Sequence, residues 1–435
     1  MLSRSFDRRI TTMNRGQFSR QFLALFSGTV LAQVFNLASY PLLSRMYSSE
    51  DFGLFGTFIA ASAIPGAIAC GRFELAITTA PHAGRRAVLW LCFCIALAVA
   101  ATSTLLISTW WWYAAVPSLW VMGAMLFLAV LLTGVTNATT MFLMRHDNFR
   151  FASVGVVLRT ATTVILQLGF AWLWPSPLGL IIGFCTGLAA QAMLGLTISS
   201  RSQGLGKPRR GQMRAMLRRF RGQVSVDLPG TLVGALSFNL IPFFLQFLYG
   251  IRAVGHFSVG QRIAVLPLQL FNDSLSQVFF QRAARAFEER GEFWQEFRFT
   301  LICSGLISVA MLLGMLFLAR PVLEIYLGPG WGLAATILVV MAPMLAIRSV
   351  TMSLATTVFV LRRPQWLLYH NIAGVAAIGT AFAVAWSSSA SLIKFLTLLA
   401  ILQGAELLVF FAVIVMAARR QYLVRHTVAL EDAKG

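Results

Sequence analysis

The chain has 435 residues, of which 58% are hydrophobic and 11% are charged, and its mean hydropathy is +0.75. This composition excludes a sizeable soluble domain and is typical of a chain whose solvent is mostly lipid. The formal net charge of +20 would suit nucleic acid, but the basic residues are spread along the whole chain. We therefore assign them to membrane topology and to anionic lipid headgroups, and we expect no nucleic-acid partner.

Apolar stretches divide the chain into twelve predicted membrane spans. A helix needs about 20 apolar residues to cross a hydrocarbon core of about 30 Å, and most of the stretches are that long or longer. They lie near residues 21–44, 52–71, 87–108, 118–144, 151–174, 178–199, 226–249, 254–280, 299–319, 332–361, 364–386 and 391–418. The first stretch has no small-residue cleavage site behind a short apolar core, so we expect a retained helix and not a signal peptide.

Basic residues sort almost completely onto one side of these spans. The N-terminus, the even-numbered connections and the C-terminus hold 28 of the 35 Lys and Arg residues. The opposite side holds only Arg45, Arg252 and Arg320. Short loops rich in Lys and Arg stay in the cytoplasm, so the pattern predicts that both termini are cytoplasmic.

The spans predict two six-helix halves with flanking segments. The segments are a cytoplasmic tail at 1–20, an N-terminal half at 21–199, a basic cytoplasmic linker at 200–225, a C-terminal half at 226–418 and a cytoplasmic tail at 419–435. Seven basic residues lie between Lys207 and Arg221, with no acidic residue among them. This pattern predicts an amphipathic segment that binds anionic lipids of the inner leaflet.

Weak internal repeats support two related halves. A shift of 202 residues gives seven identities in the 41 residues that start at Ser27, among them Gly53 with Gly255. A shift of 217 aligns residues 138–145 with 355–362 at five identities in eight. Six spans is an even number, so the repeats are predicted to be parallel, with a substrate cavity between the halves and transport by alternating access.

Three arginines lie inside predicted spans, where an ionisable side chain costs at least about 2.5 kcal/mol and usually faces the bundle interior. They are Arg159, Arg262 and Arg348. Together they predict a cationic cavity that suits a phosphate-bearing cargo, because guanidinium donates in a fork to phosphate oxygens. The alternative is interhelical ion pairing, for example of Arg348 with Glu406.

Acidic and polar residues inside the spans form a second set of candidates. Asp227, Asp273 and Glu406 are candidates for binding a coupling proton or Na⁺. Polar residues at helical spacing line one face of the first span, among them Gln33, Asn36 and Tyr40. We predict that these three line the cavity.

Catalytic and nucleotide-binding motifs are absent from the sequence. Residues 204–208 resemble a phosphate-binding loop but lack its first glycine and the Ser or Thr after Lys207. The sequence contains neither His-Glu-x-x-His nor Gly-x-Ser-x-Gly, and its five histidines are not spaced as metal ligands. The five cysteines lie in or at the ends of spans, so no disulfide framework is expected. We expect no enzyme activity, no cofactor and no bound metal.

Two short segments carry a family resemblance. Residues 41–55 (PLLSRMYSSEDFGLF) and 71–77 (GRFELAI) resemble the first two helices of the bacterial polysaccharide transporter family. That family comprises the Wzx-type O-antigen and exopolysaccharide flippases of the MATE-like MOP superfamily. The resemblance implies an all-α integral membrane protein with twelve helices in two parallel six-helix repeats around a central cavity.

The resemblance also implies a function. It implies a flippase in the bacterial inner membrane that moves undecaprenyl-diphosphate-linked oligosaccharide from the cytoplasmic to the periplasmic leaflet, upstream of polymerisation or ligation. A polysaccharide polymerase and a chain-length regulator are then expected partners. Two alternatives stay open, namely a cation-coupled antiporter of small solutes or drugs and a membrane polysaccharide polymerase or ligase.

Overall fold

A computed structural model describes residues 15–432 except 114–118, 147, 204–205 and 207. Within these residues all regular secondary structure is helical, and no strand is present. An all-helical chain is what lipid requires, because a membrane-spanning backbone must satisfy its N–H and C=O groups within its own segment. Parts of the predicted tails and of the predicted linker lie outside the described residues, namely 1–14, 204–205, 207 and 433–435.

Seven helices make up the first part of the chain. They are α1 (Arg15–Met46), α2 (Ser49–Ala67), α3 (Phe73–Thr79), α4 (His82–Tyr113), α5 (Leu119–Arg145), α6 (Phe149–Leu173) and α7 (Pro177–Gln203). Helix α6 packs along both α1 and α7, and α5 packs against both α4 and α7. The short α3 fills the space beside α4 and α5.

Eight further helices follow. They are α8 (Arg210–Asn239), α9 (Ile241–Tyr249), α10 (Ile251–Arg290), α11 (Trp294–Leu327), α12 (Gly332–Leu354), α13 (Thr357–Val360), α14 (Gln365–Ser387) and α15 (Leu392–Asp432). Helix α12 packs against α10, α11 and α15, and α14 packs against α15.

Proline accounts for one of the helix breaks in this second part. Pro242 lies in the first turn of α9, immediately after α8 ends at Asn239, because proline has no N–H to donate to the preceding turn. Pro65, Pro267 and Pro343 lie inside α2, α10 and α12, which continue through them.

Nine stretches of the described residues are long and apolar enough to cross a membrane. They are Gly84–Thr109, Trp120–Arg145, Phe149–Leu173, Pro177–Arg201, Asp227–Tyr249, Trp294–Leu327, Gly332–Val360, Gln365–Ser387 and Leu392–Leu423. The spans predicted near 21–44, 52–71 and 254–280 coincide with α1, α2 and α10, and none of these three helices contributes to the nine stretches found among the described residues. The chain is a multi-pass membrane protein, and a total of twelve spans stays a prediction.

Contacts divide the chain into two compact units. Unit 1 comprises the chain up to Tyr47 together with Ala61–Leu232, and unit 2 comprises Ser48–Ala60 together with the chain from Val233 onward. The first part of α2 therefore packs within unit 2, although its last residues belong to unit 1.

Glycines allow α2 and α10 to cross closely within unit 2. A Cβ at Gly53 would lie 2.0 Å from the carbonyl oxygen of Ile251, and one at Gly255 would lie 1.8 Å from that of Ser49. No side chain fits at either position. Gly53 and Gly255 are also the two glycines that the 202-residue shift aligns, so the repeat places equivalent residues at one crossing.

The basic linker continues into an amphipathic first part of α8. Arg214, Arg218 and Arg219 are exposed, whereas Phe220 is buried and Met216 packs against the hydrophobic core of unit 1. This arrangement agrees with the amphipathic segment predicted from the sequence, because one face of the helix is charged and the other is apolar.

Candidate functional site

Each of the three predicted cavity arginines lies against an aromatic ring. The distances from Cζ to the ring centroid are 5.4 Å for Arg159 and Phe184, 5.3 Å for Arg262 and Phe55, and 3.9 Å for Arg348 and Phe238. A guanidinium within about 6 Å of a ring face is attracted by the ring quadrupole, more strongly where water is excluded. All three arginines are partly exposed.

Close packing of α6 against α7 positions Arg159 in unit 1. A Cβ at Gly187 would lie 2.6 Å from the carbonyl oxygen of Arg159 and 2.0 Å from Oγ1 of Thr163. A Cβ at Gly183 would lie 2.7 Å from the side chain of Gln167. The two glycines therefore let α7 approach the backbone of α6 at the turn that carries Arg159.

The polar stripe of α1 lies on a helix that packs against α6. Tyr40 is buried, with 3% of its surface exposed, whereas Gln33 and Asn36 are partly exposed. At the end of the same helix, the Tyr47 hydroxyl donates to the carbonyl oxygen of Gln167 at 2.8 Å. Gln33 and Asn36 thus remain candidates for ligand contact, and Tyr40 is part of the packed interior.

A polar cavity lies among four helices of unit 2. It has a volume of about 30 Å³ and is lined by side chains from α8, α12, α14 and α15. Its polar lining residues are Ser237, Arg348, His370, Asn371, Gln403 and Glu406. A volume of this size holds about one water molecule, so the cavity suits a proton or a water but not a sugar.

Glu406 and His370 form a close pair in this cavity. Glu406 Oε1 is the hydrogen-bond partner of His370 Nδ1, and only 12% and 8% of the two side chains are exposed. The imidazole stacks on Phe410, with 4.4 Å between ring centroids and 9° between ring planes. Glu406 therefore pairs with His370, while Arg348, which the sequence suggested as its partner, lines the same cavity and stacks on Phe238.

Gln403 adds an unsatisfied polar group to the cavity wall. Its side chain is 8% exposed, and its Oε1 atom has no hydrogen-bond partner among the residues that the structure describes. An unpaired buried polar atom costs about 1–3 kcal/mol, so such atoms are usually found where a ligand, an ion or a water binds.

The other two acidic candidates lie outside this cavity. Asp273 is exposed on α10. Asp227 is partly exposed on α8, close enough to Glu74 to affect its ionisation. Burial raises the pKa of Glu74, the guanidinium of Arg72 at 3.3 Å opposes that rise, and the negative charge of Asp227 adds to it.

Among the described residues, no group of three His, Cys, Asp or Glu side chains is arranged to hold a metal ion. In the unit 2 cavity the positive charge of Arg348 would also oppose a metal cation beside Glu406.

Sequence analysis missed His370, the closest partner of Glu406. The signal was available, because His370 lies inside the predicted span 364–386 and an ionisable side chain in a span is a functional candidate. The spacing of the histidines along the sequence indicates only whether they could bind a metal together, and it does not point to His370. Its partner lies 36 residues further along, on a different helix, a separation that no sequence spacing rule covers.

The fold is that of transporters of the MOP superfamily. A multidrug resistance MATE family transporter of that superfamily, in an inward-facing conformation, matches with a TM-score of 0.66 and 15% identity, over 93% of this chain and 98% of that chain. The lipid II flippase MurJ, in an inward closed conformation, matches with a TM-score of 0.66 and 13% identity, over 95% of this chain and 92% of that chain.

A third match is a MOP superfamily transporter from Pyrococcus furiosus, described by the reverse polarity of its binding pocket. It has a TM-score of 0.61 and 15% identity, over 93% of this chain and 96% of that chain. At such identities these structures define the fold, and the function has to be argued from the residues of this chain.

The family itself is defined by sequence. The model of the polysaccharide biosynthesis protein family matches residues 42–336, more than half of the chain. The chain belongs to this family, which confirms the resemblance drawn from residues 41–55 and 71–77. Comparison with curated protein sequences gives no match.

The packing around Arg159 yields a stability prediction. Gly187→Ala should lower the thermal stability of the purified protein by about 1–3 kcal/mol, because the new methyl group overlaps the Arg159 carbonyl oxygen and Thr163. Gly169→Ala on α6 is the matched control, since no atom lies within 4 Å of its Cβ position. Equal melting temperatures for the two variants would contradict the close approach of α6 and α7.

Proposed function

We propose that this protein is a flippase that moves undecaprenyl-diphosphate-linked oligosaccharide from the cytoplasmic to the periplasmic leaflet of a bacterial inner membrane by alternating access. The proposal is supported by the family to which the chain belongs together with its fold. A member of the polysaccharide biosynthesis family has the fold of MOP transporters and is built of membrane helices. Such a chain is suited to moving a lipid-linked precursor and not to forming glycosidic bonds.

The cargo headgroup is matched by the arginines. A diphosphate loses hydration on entering the bilayer, and fixed guanidinium donors replace part of that hydration. Arg262 supplies such donors from α10 of unit 2, and Arg159 supplies them from α6 of unit 1. Arg348 on α12 lines the small unit 2 cavity in this conformation, and in the proposal it meets the diphosphate when alternating access opens that cavity. The rings beneath them hold the guanidinium planes in place without neutralising their charge.

The proposed topology has twelve spans in two six-helix halves joined by the linker at 200–225, with both termini cytoplasmic. The strong basic asymmetry of the sequence supports it. In this orientation the exposed arginines at the start of α8 bind anionic lipids of the inner leaflet. A polysaccharide polymerase and a chain-length regulator act on the cargo at the opposite face.

The energy source in this proposal is a proton gradient acting at the His370–Glu406 pair. One proton added to a neutral imidazole beside a carboxylate changes the net charge of the pair from −1 to zero inside a nearly dry cavity, which changes the electrostatic balance with Arg348. Na⁺ is the less suitable coupling ion, because Arg348 lines the same cavity. Asp227 and Asp273 remain secondary candidates.

The second candidate function is a cation-coupled antiporter of small solutes or drugs, which the match to a MATE transporter favours. Arginine in the interior disfavours cationic drugs, because like charges repel strongly in a low dielectric.

A polymerase or ligase is the third candidate. In the described residues the connection between α11 and α12 is four residues long, which leaves no room for a catalytic loop there.

Topology is tested by labelling single cysteines in a variant whose five natural cysteines are replaced. Ser388→Cys, after α14, should react with a membrane-impermeant maleimide in intact spheroplasts. Gln212→Cys, at the start of α8, should react only after the membrane is permeabilised. The reverse labelling pattern would contradict the proposed orientation.

The role of the arginines is tested in cells that depend on this protein for surface polysaccharide. Arg262→Ala and Arg348→Ala should each reduce surface polysaccharide by about tenfold or more, since a hydrogen bond to a charged group contributes about 1.5–3 kcal/mol. Arg→Lys should restore export only in part, because ammonium lacks the planar fork. The matched control is Arg320→Ala, whose side chain is 80% exposed and pairs with Glu324 on the helix surface.

Protein abundance in the membrane must be measured alongside polysaccharide. Alanine variants that are abundant and export at the wild-type level would assign a structural role to both arginines. The same loss in the Arg320→Ala control would show that the assay reports general damage.

Proton coupling is tested in proteoliposomes with an imposed pH gradient. Glu406→Gln keeps the shape of the carboxylate but does not titrate near neutral pH, so transport should lose its response to the gradient. Glu324→Gln, a change of an exposed carboxylate on α11, should keep that response. Transport that follows an imposed Na⁺ gradient, and ignores the pH gradient, would contradict this assignment.

A further inference from the structure

A groove separate from the interior arginines lies between the end of α10 and the start of α11 in unit 2. Its volume is about 490 Å³, which is within the range of about 300–1,000 Å³ found for small-molecule sites. Helix α10 has 40 residues, so it is about 60 Å long and extends well beyond a hydrocarbon core of about 30 Å. The groove lies along this extension.

Two exposed arginines line one wall of the groove. Arg282 and Arg285 lie three residues apart, on the same face of α10. Neither forms an ion pair within 4 Å in the part of the chain that the structure describes, whereas Arg290 pairs with Glu296 at the end of the groove. Glu289 is the remaining acidic residue in the lining, so the two arginines leave the groove net positive.

The opposite end of the groove is apolar and open. Val278 and Phe299 line it with 47% and 58% of their surfaces exposed. Both residues lie on the side of the groove that leads into the predicted span of α10 or α11, where lipid chains cover exposed apolar side chains. A single groove thus joins a cationic end to a lipid-facing end.

The wall beneath the groove is a packed aromatic cluster. Phe279 and Phe297 are buried, and their ring centroids lie 6.1 Å apart in an edge-to-face arrangement. Phe279 makes a similar contact with Phe293 at 6.4 Å. This packing joins the end of α10 to the start of α11, so the arginines are held on a preformed surface.

We propose that this groove binds the phosphate-bearing headgroup of a membrane lipid. Arg282 and Arg285 donate hydrogen bonds to the phosphate oxygens, and the lipid chain lies along Val278 and Phe299. Gln281 and Gln295, which also line the groove, offer amide groups to the uncharged part of the headgroup. The proposal rests on the membrane placement of the chain and does not depend on the cargo or on the interior arginines.

Phosphate of this kind has two sources in the membrane, an anionic phospholipid and the polyprenyl diphosphate of the cargo. The test measures thermal unfolding of the full-length protein in detergent during titration with phosphatidylglycerol, phosphatidylcholine or undecaprenyl diphosphate. The variant carries Arg282→Ala and Arg285→Ala together. The matched control is Arg298→Ala, an exposed arginine at the start of α11 that does not line the groove.

Phosphatidylglycerol should raise the melting temperature of the wild type and of Arg298→Ala, and the double variant should need about tenfold more lipid or more for the same shift. Half-maximal stabilisation by undecaprenyl diphosphate at a much lower concentration than by phosphatidylglycerol would identify the cargo as the source. Stabilisation by undecaprenyl diphosphate that is similar to or weaker than that by phosphatidylglycerol would identify the bilayer phospholipid as the source. A response to phosphatidylcholine equal to that for phosphatidylglycerol, or a double variant with the wild-type response, would overturn the proposal.

A photoactivatable phosphatidylglycerol provides a second, site-specific measurement. Cross-linked peptides should come from residues 275–300 in the wild type, and their yield should fall several-fold in the double variant. Both substitutions are on the exposed face of α10, so the lipid-free melting temperature of the variant should match that of the control and show that the fold is intact. Cross-links with the same yield in wild type and variant would also overturn the proposal.

Discussion

The absence of water in the hydrocarbon core is the constraint on which the rest of this structure depends. It requires the backbone to be helical, and it requires any ionisable side chain in a span to have a specific neighbour. In unit 2 that requirement produces a cluster in which Glu406 pairs with His370 and Arg348 stacks on Phe238. The same cost that makes such groups rare in membrane helices makes them good candidates for function.

The two units meet this constraint in different ways. Around Arg159 in unit 1, Gly183 and Gly187 bring two helix backbones together, so the site is shaped by close packing. In unit 2, the cavity among α8, α12, α14 and α15 is lined by charged and amide side chains and has room for about one water. The units thus supply different chemistry to the proposed transport cycle, a single guanidinium in unit 1 and a titratable pair in unit 2.

Composition and hydropathy were sufficient to predict the protein class, because they reflect the solvent directly. The polar side chains of α10, among them Arg262 and Asp273, explain why this predicted span is not among the nine apolar stretches. The partners of the interior arginines could not be predicted. Phe184, Phe55 and Phe238 lie on other helices, and which ring meets which guanidinium is decided by tertiary packing.

The most direct measurement of the central claim uses purified protein in proteoliposomes that contain undecaprenyl-diphosphate-linked oligosaccharide in both leaflets. A glycosidase added outside should cleave the outer half of the cargo in protein-free liposomes and nearly all of it when the protein is present. Cleavage that stops at one half in the presence of folded protein, together with uptake of a small cationic drug by the same liposomes, would contradict the account and favour an antiporter.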